Sequence, residues 1–279
     1  MKTTKFLFPI LGAVFFIISC EKGEDSLTND EFSVNQEEKI SKTDLNTISS
    51  LHFNTDNAQI IDFLLPDGST EKTYLIEGDI LMNPEKLNEF YSGNITSKQY
   101  RTYNLVSSPR NVNVIGFTGG GGQGLTSKQR TALQGAIANY NALNIGLNFT
   151  LTFGTNYDPY DIVVYQNPNG QAGGVAGFPS GGNPYKYVQI YSGMENYSTS
   201  TNEHVITHEI GHTVGLRHTD WYSRQSCGQS GEAADPSGAV HIPGTPTGYD
   251  SNSVMLACFS ASEDGNFGYY DEVALEYLY

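Results

Sequence analysis

The chain has 279 residues and a formal net charge of −15, although charged side chains make up only 16% of it. That length can bury one sizeable core or two small ones. Such acidity excludes a nucleic-acid partner, because phosphate binding needs a basic face.

The first twenty residues read as an export signal. Lys2 and Lys5 precede an apolar run over 6–18 that is broken by Pro9 and Gly12. The run is too short for a bilayer span, which takes about twenty apolar residues. Ile17-Ile18-Ser19-Cys20 resembles a bacterial lipobox, whose cysteine is lipidated and becomes the mature N-terminus. Ordinary cleavage beside an incidental cysteine is the alternative. The first reading ties the exported chain to a membrane at Cys20, at the cell surface or in the periplasm; the second leaves it secreted. Without Cys20, the cysteines left are Cys227 and Cys258, an even pair in an oxidising compartment. A disulfide between them is expected, with two buried free thiols as the alternative.

Residues 21–50 are polar and read as a solvated spacer. Short apolar runs return over 51–108, which reads as a small α+β segment. A boundary is expected near Pro109, with the main domain over 109–279. Residues 111–117 alternate as a strand, with Val112, Val114 and Phe117 on related faces. Gly119 to Gly122 form a turn that lacks the Gly-Lys-Ser/Thr of a phosphate loop. Thr126 is a candidate N-cap for a helix reaching about Leu143, with Leu133, Ile137 and Tyr140 on one face. Strands are expected over 146–153, 161–165 and 187–191, before a second long helix. This order of elements is α+β.

That second helix carries the chemistry. His208, Glu209 and His212 spell HExxH, which sets two imidazoles one turn apart on one helical face. Glu209 falls beside a metal held there, where it can take a proton from water. Val205, Ile206, Ile210 and Val214 face the core. Gly215 releases the chain in a left-handed turn, and His218 returns as a third ligand. HExxH alone is a weak signal; the added glycine and histidine at fixed offsets make it strong. A core helix with hydrogen-bonded histidines would give no reason for four of the six histidines to lie within 204–218. His204, off the motif, is expected at the surface.

The pattern HExxHxxGxxH resembles the metzincin clan of zinc metallopeptidases. More narrowly, HEIGH at 208–212, with Cys227, Gly244-Thr245-Pro246-Thr247, Met255 and Cys258, resembles the bacterial HEIGH metallopeptidase family over about 110–279. The resemblance implies a metzincin-like fold, one catalytic zinc on His208, His212 and His218, and Glu209 as general base. It also implies a methionine turn at Met255, whose alternative is a gap-filling core methionine. Gly173 to Phe178 resembles the rim strand on which clan members lay an extended peptide, with a glycine-rich surface loop as the alternative. Where some clan members carry a tyrosine after the methionine, this chain has Ala257, and Thr219 follows the third histidine; Asp220 and Trp221 lie just beyond.

Ile76-Glu77-Gly78-Asp79-Ile80 resembles the propeptide of the astacin branch, in which an aspartate after glycine ligates the zinc. On that reading 51–108 is propeptide-like and Asp79 is a latency switch; a strand followed by a Gly-Asp bend is the alternative. The implied function is a monomeric zinc endopeptidase acting on extracellular or surface proteins. A zinc-binding adhesion lipoprotein without hydrolytic activity and a zinc hydrolase of cell-wall crosslinks stay open, as does calcium binding.

Overall fold

A computed structural model describes residues 38–87, 101–102, 104–229 and 241–279, and its first element is a helix where the sequence reads as spacer. Helix α1 (Lys42–Ser50) starts at Ser41, whose side chain accepts from Asp44 N, an N-cap arrangement. Its polar sequence carries two apolar residues one turn apart, Leu45 and Ile48. Ile48 is fully buried and Leu45 packs beside it, as does Ile40 just before the helix, in a cluster with Tyr74, Ile76 and Met82. Burying Ile48 contributes about 1.5–3 kcal/mol, which helps offset the ordering entropy that composition alone would not cover. The spacer expected over 21–50 therefore stops short of this helix. Its earlier part, the signal and Cys20 lie outside the described residues.

Strands β1 (Gln59–Leu64), β2 (Thr70–Ile76) and β3 (Ile80–Met82) follow as an antiparallel meander. After β4 (Arg110–Phe117) comes α2 (Ser127–Ala142), opened by a capping box between Thr126 and Gln129. Then come β5 (Leu147–Gly154), β6 (Ile162–Asn167), β7 (Gly174–Gly177), β8 (Tyr187–Tyr191), α3 (Thr199–Thr213) and α4 (Tyr269–Leu278). The strands form one mixed sheet in the order β1-β2-β3-β7-β8-β6-β4-β5.

Strand parity sorts the core. Val112, Val114, Ile162 and Val164 face Leu133, Ile137, Tyr140, Ile206 and Ile210 of the two long helices. Ile115, Phe117, Val163, Tyr165 and Val175 form a second cluster with Phe63. Phe117 is thus opposite Val112 and Val114, not beside them, since side chains alternate faces along a strand.

The N-terminal meander is continuous with the main sheet. β3 pairs in parallel with β7 through Ile80↔Ala176 and Leu81↔Gly177, and residues Glu38–Tyr279 cluster as one unit. Strand β7, expected to be an open rim, lies between β3 and β8. Both of its edges are therefore paired.

Candidate metal centre

Helix α3 positions two of the three motif histidines, and its C-terminus positions the third. Gly215 has φ 103°, a conformation that favours glycine. Its N–H donates to His212 O (2.9 Å), and Leu216 N–H donates to Gly211 O (3.0 Å). These two bonds are a Schellman motif, and they turn the chain so that His218 comes back towards His208 and His212. Leu216 O then accepts from His212 Nδ1 at 2.8 Å, so the same turn also orients the second imidazole.

Each ring has an acceptor at Nδ1: Val254 O for His208 (2.9 Å), Leu216 O for His212, and Glu77 Oε2 for His218 (2.9 Å). A carbonyl can only accept, so His208 and His212 carry their protons on Nδ1 and present bare Nε2 atoms. Ligand atoms of the three histidines and Asp79 all lie within 4.8 Å of one another. His212 Nε2 is buried with no hydrogen-bond partner, which asks for a bound cation. Imidazoles oriented through Nδ1 by carbonyls and a carboxylate are the donor set that zinc takes. The residues present fit that metal.

Asp79 Oδ2 lies 2.9 Å from His218 Nε2 and 3.5 Å from His208 Nε2. Burial raises the pKa of Asp79, but His218 and His208 outweigh it and hold the carboxyl well below its usual range. Burial likewise opposes a charge on His218, yet Asp79 and Glu77 raise that ring to about 10. His212, facing no carboxylate directly, is driven well below its ordinary value by burial and then by the other two rings. Asp79 meets the Nε2 atoms of His218 and His208, while Glu77 backs His218 from its Nδ1 side, so negative charge flanks the third imidazole on both sides.

Glu209 is 2% exposed, and its Oε2 has no partner. Burial, then the negative charge of Asp79, pushes its carboxyl well above the usual range. Gly174 on β7 makes room for it: a Cβ there would come 2.8 Å from Glu209 Cγ. Met255 is buried beneath the helix, and a Cβ on Gly211 would strike its Sδ at 2.5 Å. The glycine of HEIGH is therefore the residue on which the methionine sulfur rests.

Several supporting residues carry no motif, and of these only Asp220, just beyond the third histidine, is marked in the sequence. Asp271, at the start of α4, accepts from Ser253 Oγ (2.7 Å), Val254 N (2.8 Å) and Gly268 N (3.0 Å). It so fixes the turn whose Val254 O orients His208. Burial pushes Asp271 up to about 6 against those donors. Asp220 accepts from Ala257 N (2.9 Å) through one oxygen and from Ser226 Oγ (2.6 Å) through the other, tying the segment after His218 to the stretch that follows Met255. Tyr191 lines the cleft with His208 and Glu209. His204, expected at the surface, is 5% exposed and bonded through Nδ1 to Asp264 O at 2.9 Å. The chain after Met255 folds back over it, and it stays outside the convergent group.

Cys227 and Cys258 are joined, with Cα atoms 5.1 Å apart and 31 positions between them in sequence. A loop of that size restricts the unfolded chain by about 3–4 kcal/mol. Denaturant unfolding with and without reductant should show a loss of that order, and an unchanged midpoint would contradict it.

The sequence profile of the dual-action HEIGH metallo-peptidase family matches residues 74–279, a stretch that includes Glu77, Asp79 and β3. Two solved structures of myroilysin are also similar. The first is 14% identical, with 63% of this chain and 82% of that one covered, at a TM-score of 0.40. The second is 15% identical, with 70% and 95% covered, at a TM-score of 0.38. No curated protein matches the chain.

Proposed function

The chain belongs to the dual-action HEIGH metallo-peptidase family, and on that premise we propose that it is a zinc-dependent endopeptidase held latent by its own N-terminal segment. The observation that carries this reading is the convergence of His208, His212 and His218 with Asp79, beside the partnerless carboxylate oxygen of Glu209.

His208, His212 and His218 would hold the metal through Nε2. Zinc bound there supplies Lewis-acid polarisation of a peptide carbonyl and acidifies water. Glu209 takes a proton from the attacking water and returns it to the leaving amine nitrogen, regaining its carboxylate. Strand β7, once freed of β3, offers backbone hydrogen bonds to an extended peptide whatever its sequence, which favours an endopeptidase.

In the uncut chain Asp79 would offer the metal a carboxylate donor in place of water, while β3 occupies the edge of β7. Activation then needs a cut between Asp79 and about residue 111. Export rests on Lys2, Lys5, the apolar run over 6–18 and Cys20, together with a disulfide of the kind that persists in oxidising compartments. Anchoring at Cys20 by acyl chains follows from the lipobox reading.

Limited proteolysis of the zinc-loaded full-length protein should release hydrolysis of a casein-derived peptide. A chelator should abolish that activity and added zinc should restore it. Activity indifferent to the chelator would count against the metal mechanism.

A further inference from the structure

The buried carboxylate of Glu77 has a surrounding that outlasts it. We propose that Arg224, assisted by Arg217, forms a carboxylate-binding subsite beside the metal centre. Glu77 fills it in the latent chain, and an acidic side chain of the substrate fills it after activation. This rests on the peptidase reading above, and it adds a substrate class: peptides with Glu or Asp near the scissile bond.

Glu77 lies in the tight turn between β2 and β3 with φ 57°, and its side chain is fully buried. A carboxylate survives there only with cationic or donor partners. Apart from Asn54 N, which donates to Oε1 at 2.9 Å, those partners belong to the segment around the third histidine. His218 Nδ1 stands 2.9 Å from Oε2, Arg224 Nη1 3.9 Å from the same oxygen, and Arg217 Nη2 3.9 Å from Oε1. Arg224 Nη2 also donates to Glu77 O at 3.0 Å. Arg217 reaches the N-terminal segment elsewhere too, donating to Leu51 O and His52 O and lying over the Phe53 ring.

Arg224 looks built for this task. Its φ is 47°, a conformation that costs free energy in a residue with a Cβ and is held only where its surroundings impose it. Arg224 N donates to Asp220 O at 2.7 Å, and Cys227, three residues on, is fixed by the disulfide. The side chain so aimed lines the cleft that also holds Asp79, His208, Glu209 and Tyr191, while its Nη1 has no hydrogen-bond partner. When the N-terminal segment leaves, Glu77 leaves with it and both arginines stay. A guanidinium in a cleft takes a carboxylate in preference to any neutral side chain. Glu77 precedes Asp79 by two residues, so the acidic position in a substrate should fall within about two residues of the one at the metal.

Two measurements test this. The zinc-loaded full-length protein, activated by limited proteolysis, is given peptides that differ only by Glu, Gln or Lys at one position flanking the cut. At one such position Glu should exceed Gln by about tenfold or more in kcat/KM, and Arg224→Gln should bring that ratio to about one. Equal kcat/KM for Glu and Gln at every position overturns the subsite while leaving the peptidase intact. An activated protein that cleaves no peptide removes the peptidase reading instead. The second measurement needs no activity: acetate, with chloride as control, should raise the Tm of full-length Glu77→Ala. It should not raise that of wild type or of Glu77→Ala/Arg224→Gln. No acetate-dependent shift in Glu77→Ala overturns the carboxylate site directly.

Discussion

Full-length Asp79→Ala should hydrolyse peptide without being cut, about two to four powers of ten faster than uncut wild type. The size follows from the pair it breaks. Asp79 is largely enclosed against His218 at 2.9 Å and His208 at 3.5 Å, and removing one partner of such an enclosed charged contact, to the imidazoles or to a cation they hold, costs about 3–5 kcal/mol. That cost falls on the closed arrangement alone, so the balance shifts towards chains whose β3 has left β7. Two register pairs hold β3 to β7, and burial of Ile80, Leu81 and Met82 adds to them, so the released chains are a minority even in the variant. Activity should still lie below that of the proteolysed protein, since Glu77 and its arginines go on retaining the segment. The measurement compares the two full-length proteins, both checked on a gel for integrity. Equal activity would leave Asp79 as a turn residue and residues 51–108 as a spacer or folding aid.

How much of this was legible in the sequence depended on whether the cause was local. Helix α2 could be read from Thr126 and Gln129 and from the spacing of Leu133, Ile137 and Tyr140, because caps and helical periodicity lie within a few residues. The cluster of His208, Glu209, His212, Gly215 and His218 was legible for the same reason: a helix and its C-terminal turn fix the spacing. Asp79 could be singled out only by resemblance, and its contact with His218 spans 139 positions, which no periodicity encodes. Glu77 lies two residues before Asp79, yet nothing local marks it as the partner of His218 Nδ1. The pairing of β3 with β7 was hidden likewise; a rim strand and a paired strand read alike when the partner is about a hundred residues away. Helix α1 is not legible because composition averages over the two apolar residues, Leu45 and Ile48, that it packs inward. His204 was placed outside because its cover comes from the chain near Phe259 and Asp264.

The claim at the centre is a metal held by three imidazoles with Glu209 beside it, outside the donor set. Glu209 lies one residue after His208, and its free Oε2 faces no donor, so its loss should leave the imidazoles and their Nδ1 partners in place. General base catalysis by a positioned carboxylate contributes about 10²–10⁴-fold. The direct measurement is zinc content and peptide hydrolysis of Glu209→Ala beside wild type, both purified at full length and both activated by the same proteolysis. The variant should keep about one zinc per chain while hydrolysis falls by that factor or more. A variant that retains zinc and near-normal hydrolysis would contradict the account.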